Sequence, residues 1–229
     1  MSELAVVSLA SVILTIIAGG PLLKLLQTIG VKQTVSIDAP TSHSMKQGTP
    51  TMGGLIILFG ITVVCVGYML AIHGSYKMLS LVALTLVFGV IGFVDDFLIV
   101  KRGKNLGLKA RQKLALQFIF GFAFMMWLRS DAIAGRSTVV SFGTMNLDFG
   151  QMYYVLGLFF IVGMSNAINL TDGLDGLSSG VTVLISLALA ITVFRGGISW
   201  LPIFCVAVGG ACAGFYFFNV HPARVFMGD

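Results

Sequence analysis

The chain has 229 residues, of which 57% are hydrophobic and only 10% charged. That balance excludes a soluble globular domain and reads as an all-α polytopic membrane protein. A net charge of +5 does not call for a nucleic-acid partner, because basic residues in a membrane chain serve topology first.

Seven apolar runs are long enough, or nearly so, to cross a hydrocarbon core of about 30 Å, which takes about 20 helical residues. They lie at 4–26, 52–73, 78–100, 112–128, 151–167, 180–195 and 200–218. The first opens on Glu3 without a basic leader, which predicts a retained span, not a cleaved signal. Cys65, Cys205 and Cys212 all fall inside apolar runs. They read as small buried hydrophobes and not as a disulfide framework or zinc site. Alternation and glycines over 137–149 predict a small extracytoplasmic hairpin. No linker or repeat interrupts the order, so one transmembrane domain over 1–229 is expected.

Ten of the 14 Lys and Arg residues fall on one side of these runs: Lys24, Lys32, Lys46, Lys101, Arg102, Lys104, Lys109, Arg111, Lys113 and Arg224. Lys77, Arg129, Arg136 and Arg195 fall on the other. The positive-inside bias makes the first side cytoplasmic and puts the N-terminus outside. Asp95, Asp96, Asp172, Asp175 and Asp229 then share the cytoplasmic face with Thr49–Gly54 and the tail from Asn219. Acids near hydrocarbon are costly, so this convergence points to function.

Asn166, Asn169, Asp172 and Asp175 recur every third residue. On a straight helix Asn166 and Asp175 would face opposite ways. For all four to line one site the helix must break, and Gly173 and Gly176 permit that. Their oxygens suit Mg²⁺ or Mn²⁺; a helix break capped by its own Asn and Asp side chains is the plainer alternative. Asp95 and Asp96 sit near the inner end of the third run. Adjacent helical residues point about 100° apart, so one suits a general base and the other an orienting group; a water-satisfied interfacial pair is the alternative. The six basic residues between Lys101 and Lys113 serve topology, phosphate binding, or both. Thr51 is placed to cap the second run, whose N-terminus favours anions; His43 reads as a loop histidine. Phe226 suits either base stacking or interfacial anchoring.

These motifs resemble the phospho-N-acetylmuramoyl-pentapeptide transferases, within the polyprenyl-phosphate N-acetylhexosamine-1-phosphate transferases. The resemblance rests on HSMKQGTPTMGG (43–54), GFVDDF (92–97), LGLKARQKLALQ (106–117), NAINLTDGLDGLSSG (166–180) and FNVHPARVFMGD (218–229). It implies a cytoplasmic-face active site in the bacterial inner membrane. It also implies transfer of phospho-N-acetylmuramoyl-pentapeptide from its UDP-linked donor to undecaprenyl phosphate, with Mg²⁺ and release of UMP. By similarity Asp229 ligates Mg²⁺, Asp95 deprotonates the lipid phosphate and Asp96 assists. Asn166, Asn169, Asp172, Leu174, Asp175 and Phe226 form the nucleotide site, with Lys46, Thr51, Lys113 and Asn219 as further polar site positions. Expected partners are the donor, the lipid phosphate, the bilayer and a second copy in a homodimer. The family pattern continues past Met-Gly-Asp, so a C-terminally truncated chain of about seven spans, against about ten for the family, is expected. Little activity is expected of it alone. The competing readings are a sister transferase using a peptide-free UDP-N-acetylhexosamine, a transporter, and an inactive scaffold. Acids gathered at one end of the spans argue against the transporter, which needs charges along a path.

Overall fold

The computed structural model of the chain describes residues 2–29, 49–72, 75, 77–102, 107–131 and 137–229. Lys46, with Lys32, His43, Lys104 and Arg136, lies outside the described residues. The elements are α1 (Ser2–Ile29), α2 (Gly54–Ile72), α3 (Lys77–Arg102), α4 (Ala110–Ser130), β1 (Val139–Phe142), β2 (Met145–Asp148), α5 (Met152–Thr171), α6 (Leu177–Arg195) and α7 (Leu201–Asn219). Hydrocarbon offers no partner for backbone N–H and C=O groups, so each apolar run closes its own hydrogen bonds as a helix. Among the described residues, six helices are long and apolar enough to cross a membrane. The remaining one, α4, covers the expected fourth span but carries Arg111, Lys113 and Arg129 towards its ends. The protein is a multi-pass, all-α membrane protein.

The chain divides into two compact units, Met1–Leu108 with Asn169–Asp229, and Lys109–Ile168. In the first unit α7 lies at the centre, packed on α1, α2 and α6. Small residues allow this, because without a hydrophobic drive in lipid, helices associate through close packing. A Cβ on Gly210 would lie 2.5 Å from the Ser8 backbone oxygen, and one on Gly214 would lie 2.7 Å from that of Val12. The matching face of α1 buries Val7, Ser11, Thr15, Gly19 and Leu23, an i, i+4 ridge. Across it the Ser11 hydroxyl donates to the Ala207 carbonyl at 2.7 Å. All three cysteines are free and buried, as expected.

The second unit pairs α4 with α5. Phe118 meets Phe159 edge-on with ring centroids 5.4 Å apart, and Arg129 lies over the Tyr154 ring at 5.8 Å. Between the helices β1 and β2 pair antiparallel, Val139 opposite Asp148 and Phe142 opposite Met145. Gly143 turns the chain at φ 61°. The hairpin therefore forms within the 137–149 stretch that alternation predicts. The predicted helix break is also present: α5 stops at Thr171, and α6 begins at Leu177 after a turn closed by Gly176 at φ 78°.

Candidate active site

Four segments of the first unit meet at one end of its helices: the lead-in to α2, the end of α3, the turn between α5 and α6, and the tail after α7. The tail holds them together. Its backbone bonds the α2 lead-in three times: Phe226 N–H to Pro50 O (2.8 Å), Gly53 N–H to Phe226 O (2.9 Å) and Gly54 N–H to Met227 O (2.8 Å). A helix N-terminus needs acceptors for its first N–H groups. Thr51 was the expected cap of α2; the tail carbonyls take that role instead, and Thr51 is 8% exposed.

The carboxylates come next. Asp95 and Asp96 are both buried, and they diverge as helical geometry requires. Asp95 Oδ1 accepts the Leu108 N–H at 2.5 Å. Asp96 Oδ2 accepts the Asp229 N–H at 3.2 Å. Asp229 Oδ1 in turn accepts from Asn169 Nδ2 at 2.7 Å. A bonded row therefore runs from the end of α5 through the tail to α3. Two glycines make room for it. A Cβ on Gly228, which sits at φ 78°, would lie 2.0 Å from Asp96 Oδ2, and one on Gly92 would lie 2.1 Å from the Asp229 backbone oxygen.

The α5–α6 turn is tied to the same tail. Asp175 Oδ2 accepts the Ala223 N–H at 3.3 Å and lies 3.0 Å from His221 Nδ1. Asn219 Oδ1 accepts from the Gly176 N–H and the Ser179 hydroxyl, each at 3.1 Å. Asp172 is half-buried on this turn and Leu174 is exposed, while Phe226 is half-buried on the tail. Residues Thr51, Asp95, Asp96, Asn169, Asp172, Leu174, Asp175, Asn219, Phe226 and Asp229 therefore all belong to the first unit, on these four segments or, for Asn169 and Asn219, on the helix ends that lead into them.

Asn166 and Lys113 belong to the second unit. There Asn166 Nδ2 donates to Gln117 Oε1 (2.7 Å) and to the Val162 carbonyl (2.8 Å). Gln117, only 3% exposed, was not singled out from sequence, although one glutamine inside an apolar run was a usable signal. His221 and Ser179 were also missed, and both lay within quoted motifs.

The donor chemistry bears on a metal. Among the described residues no three His, Cys, Asp or Glu side chains gather as a metal cage. Asp96 and Asp229, with the Thr51 hydroxyl near Gly228, offer oxygen only. Two carboxylates without sulfur or imidazole fit Mg²⁺, which keeps waters and completes its shell with substrate phosphates. Beside them a groove of about 210 Å³, lined by apolar residues of α2 and α3 such as Leu58, Ile61, Phe88 and Phe93, reaches Asp96, Gly228 and Asp229.

Comparison with known proteins identifies the family. The model for glycosyl transferase family 4 matches residues 78–229. The phospho-N-acetylmuramoyl-pentapeptide-transferase signature 1 matches residues 46–58. A phospho-N-acetylmuramoyl-pentapeptide-transferase of Desulforamulus reducens is 41% identical over 222 residues, 96% of this chain and 66% of that protein. The Halalkalibacterium halodurans protein of the same name is also 41% identical, over 96% of this chain and 67% of its own length. That of Geobacillus kaustophilus is 39% identical over all of this chain and 71% of its own. The chain thus spans about two thirds of the length of the curated relatives it matches. The matched regions include α3 with its aspartates, the α5–α6 turn and the tail, and on that ground the chain belongs to glycosyl transferase family 4, in its phospho-N-acetylmuramoyl-pentapeptide-transferase branch.

Proposed function

We propose that this protein is a Mg²⁺-dependent phosphoglycosyl transferase of the cytoplasmic membrane face. It moves phospho-N-acetylmuramoyl-pentapeptide from a UDP-linked donor to undecaprenyl phosphate. UMP leaves, and the product is the first lipid-linked intermediate of peptidoglycan synthesis. The observation that carries this reading is the bonded row Asn169–Asp229–Asp96, which sets two carboxylates at the mouth of an apolar groove. A water-soluble nucleotide and a lipid phosphate need such a meeting point of polar and apolar surface.

Phosphoryl transfer is mainly positioning and charge neutralisation. Asp229 and Asp96 would hold Mg²⁺, and its chemistry there is neutralisation of the diphosphate and of the departing UMP. Asn169 orients Asp229. Asp95, held at Oδ1 by the Leu108 N–H, takes the acceptor's proton. The α5–α6 turn presents Asp172, Leu174 and Asp175 to the nucleotide, with Phe226 as a stacking surface. Lys46, Lys113 and Asn166 enter this reading from the sequence resemblance alone, and a homodimer is an expectation that light scattering of the purified protein tests.

The test is UMP release from the peptide-bearing donor, with a peptide-free UDP-N-acetylhexosamine beside it. In a protein of the relatives' full length, Asp229→Asn abolishes the Mg²⁺-dependent rate; unchanged turnover defeats the metal assignment. Asp95→Asn lowers turnover more than donor binding; equal loss of both argues against a base. Equal rates with the peptide-free donor assign the chain to a sister activity.

A further inference from the structure

Asn219 closes α7 and is only 1% exposed. An asparagine side chain has two acceptor positions and two N–H donors. Here Oδ1 accepts from the Gly176 N–H and the Ser179 hydroxyl, and Nδ2 donates to the Val225 carbonyl at 3.0 Å. Both acceptor positions are filled and one donor is engaged. A ligand reaching this group would have to open the junction first.

We propose that Asn219 is a positioning residue, which locks the α5–α6 turn to the tail and acts on the reaction only through them. On one side it fixes Gly176, the left-handed end of the turn that carries Asp172 and Asp175. On the other it fixes Val225, whose neighbours Phe226 to Asp229 run on to the carboxylate row. The contact of Asp175 with Ala223 N–H is a second tie between the same turn and the same tail, and the Arg224 N–H to Phe218 O bond (2.9 Å) closes the loop between them. Turn and tail therefore move as one piece, and the geometry that grips the donor is the geometry that sets Asp229. This inference rests on the transferase reading above, where Asn219 would otherwise touch substrate.

The decisive variant is Asn219→Asp, with Asn219→Ala beside it. A protonated carboxyl reproduces the junction: its C=O accepts from Gly176 and Ser179, and its O–H donates to Val225 O. An ionised one sets negative charge against the Val225 carbonyl. Burial raises such a pKa; the titratable and charged groups of the turn and the tail are Asp172, Asp175, His221, Arg224 and Asp229. The junction is therefore intact at low pH and lost as pH rises through the raised pKa. The ratio of variant to wild-type kcat/KM falls about tenfold across that range, with kcat falling and donor KM rising together. Asn219→Ala shows both changes at every pH. A substrate contact would instead raise donor KM alone and leave the Asp ratio flat with pH, which overturns the proposal. Kinetics of the folded fraction unchanged in both variants, with only thermal stability reduced, also overturns it. If the wild-type protein at its relatives' full length releases no UMP, the transferase reading fails by itself. The pH-dependent difference in melting temperature between Asn219→Asp and wild type still reads the junction, and a pH-independent difference overturns it.

Discussion

Replacing Gly228 with alanine tests whether the tail must sit where it does for turnover. The residue is at φ 78°, and a Cβ there would lie 2.0 Å from Asp96 Oδ2 and 3.0 Å from Thr51 Oγ1. The left-handed conformation costs a residue bearing Cβ about 1–2 kcal/mol. Real Cβ atoms essentially never approach other atoms within 3.0 Å, so the tail or the Asp96 carboxylate must give way by about 1 Å, and either movement breaks the Asp229 N–H bond to Asp96 at 3.2 Å. A misplacement of about 1 Å at a reacting centre lowers rate on the order of 100-fold, or about 2.7 kcal/mol of barrier. UMP release from Gly228→Ala in bilayer discs, with Mg²⁺ titrated, is expected to show that loss and a raised Mg²⁺ requirement. Turnover within a factor of about three of wild type, a barrier change of about 0.6 kcal/mol, refutes the reasoning, because the tail would then not hold this geometry during catalysis.

Other expectations concern stability. Gln117→Leu leaves the Asn166 amide donor without its buried acceptor and lowers unfolding free energy by about 1–3 kcal/mol; an unchanged melting temperature contradicts the Asn166–Gln117 bond. Thr15, fully buried, has a hydroxyl without a hydrogen-bond partner, so Thr15→Val is neutral or stabilising by about 1 kcal/mol, and a clear loss of melting temperature shows that the hydroxyl is satisfied. In the hairpin the Thr138 hydroxyl, and then the Gly150 N–H, hold the Asp148 carboxyl below the usual aspartate range. Its folded pKa is the lower one, so its support of the hairpin is present above the unfolded pKa and lost as pH falls through the folded one. Amide-exchange protection over 138–150, measured against the intrinsic rate at each pH, falls at acid pH, and Thr138→Val narrows that dependence; an unaltered profile speaks against the bond.

Much of the architecture was readable from local pattern. Apolar runs bounded by Lys and Arg gave the spans, and the glycines after Thr171 gave the break, because lipid leaves a chain few alternatives to helix. The divergence of Asp95 from Asp96 followed from 100° per residue. The tail was legible in composition but not in geometry. It has no period, and its partners are remote: Asp229 bonds Asp96, 133 positions away, and Asn169, 60 away. Asn219 entered the expected site by resemblance alone, and sequence does not show that its side chain is engaged by Gly176, Ser179 and Val225. Thr51 suited either a cap of α2 or a substrate contact, and the cap came instead from tail carbonyls, which leave no mark in residue type.

The seam between the tail and the α2 lead-in consists of main-chain hydrogen bonds at Pro50, Gly53 and Gly54. Substituting Phe226 or Met227 with most other residues leaves those donors and acceptors in place. Placement of the tail is thereby separated from its side-chain chemistry: a substitution at Phe226 or Met227 changes the surface the tail presents, while its register on the α2 lead-in stays.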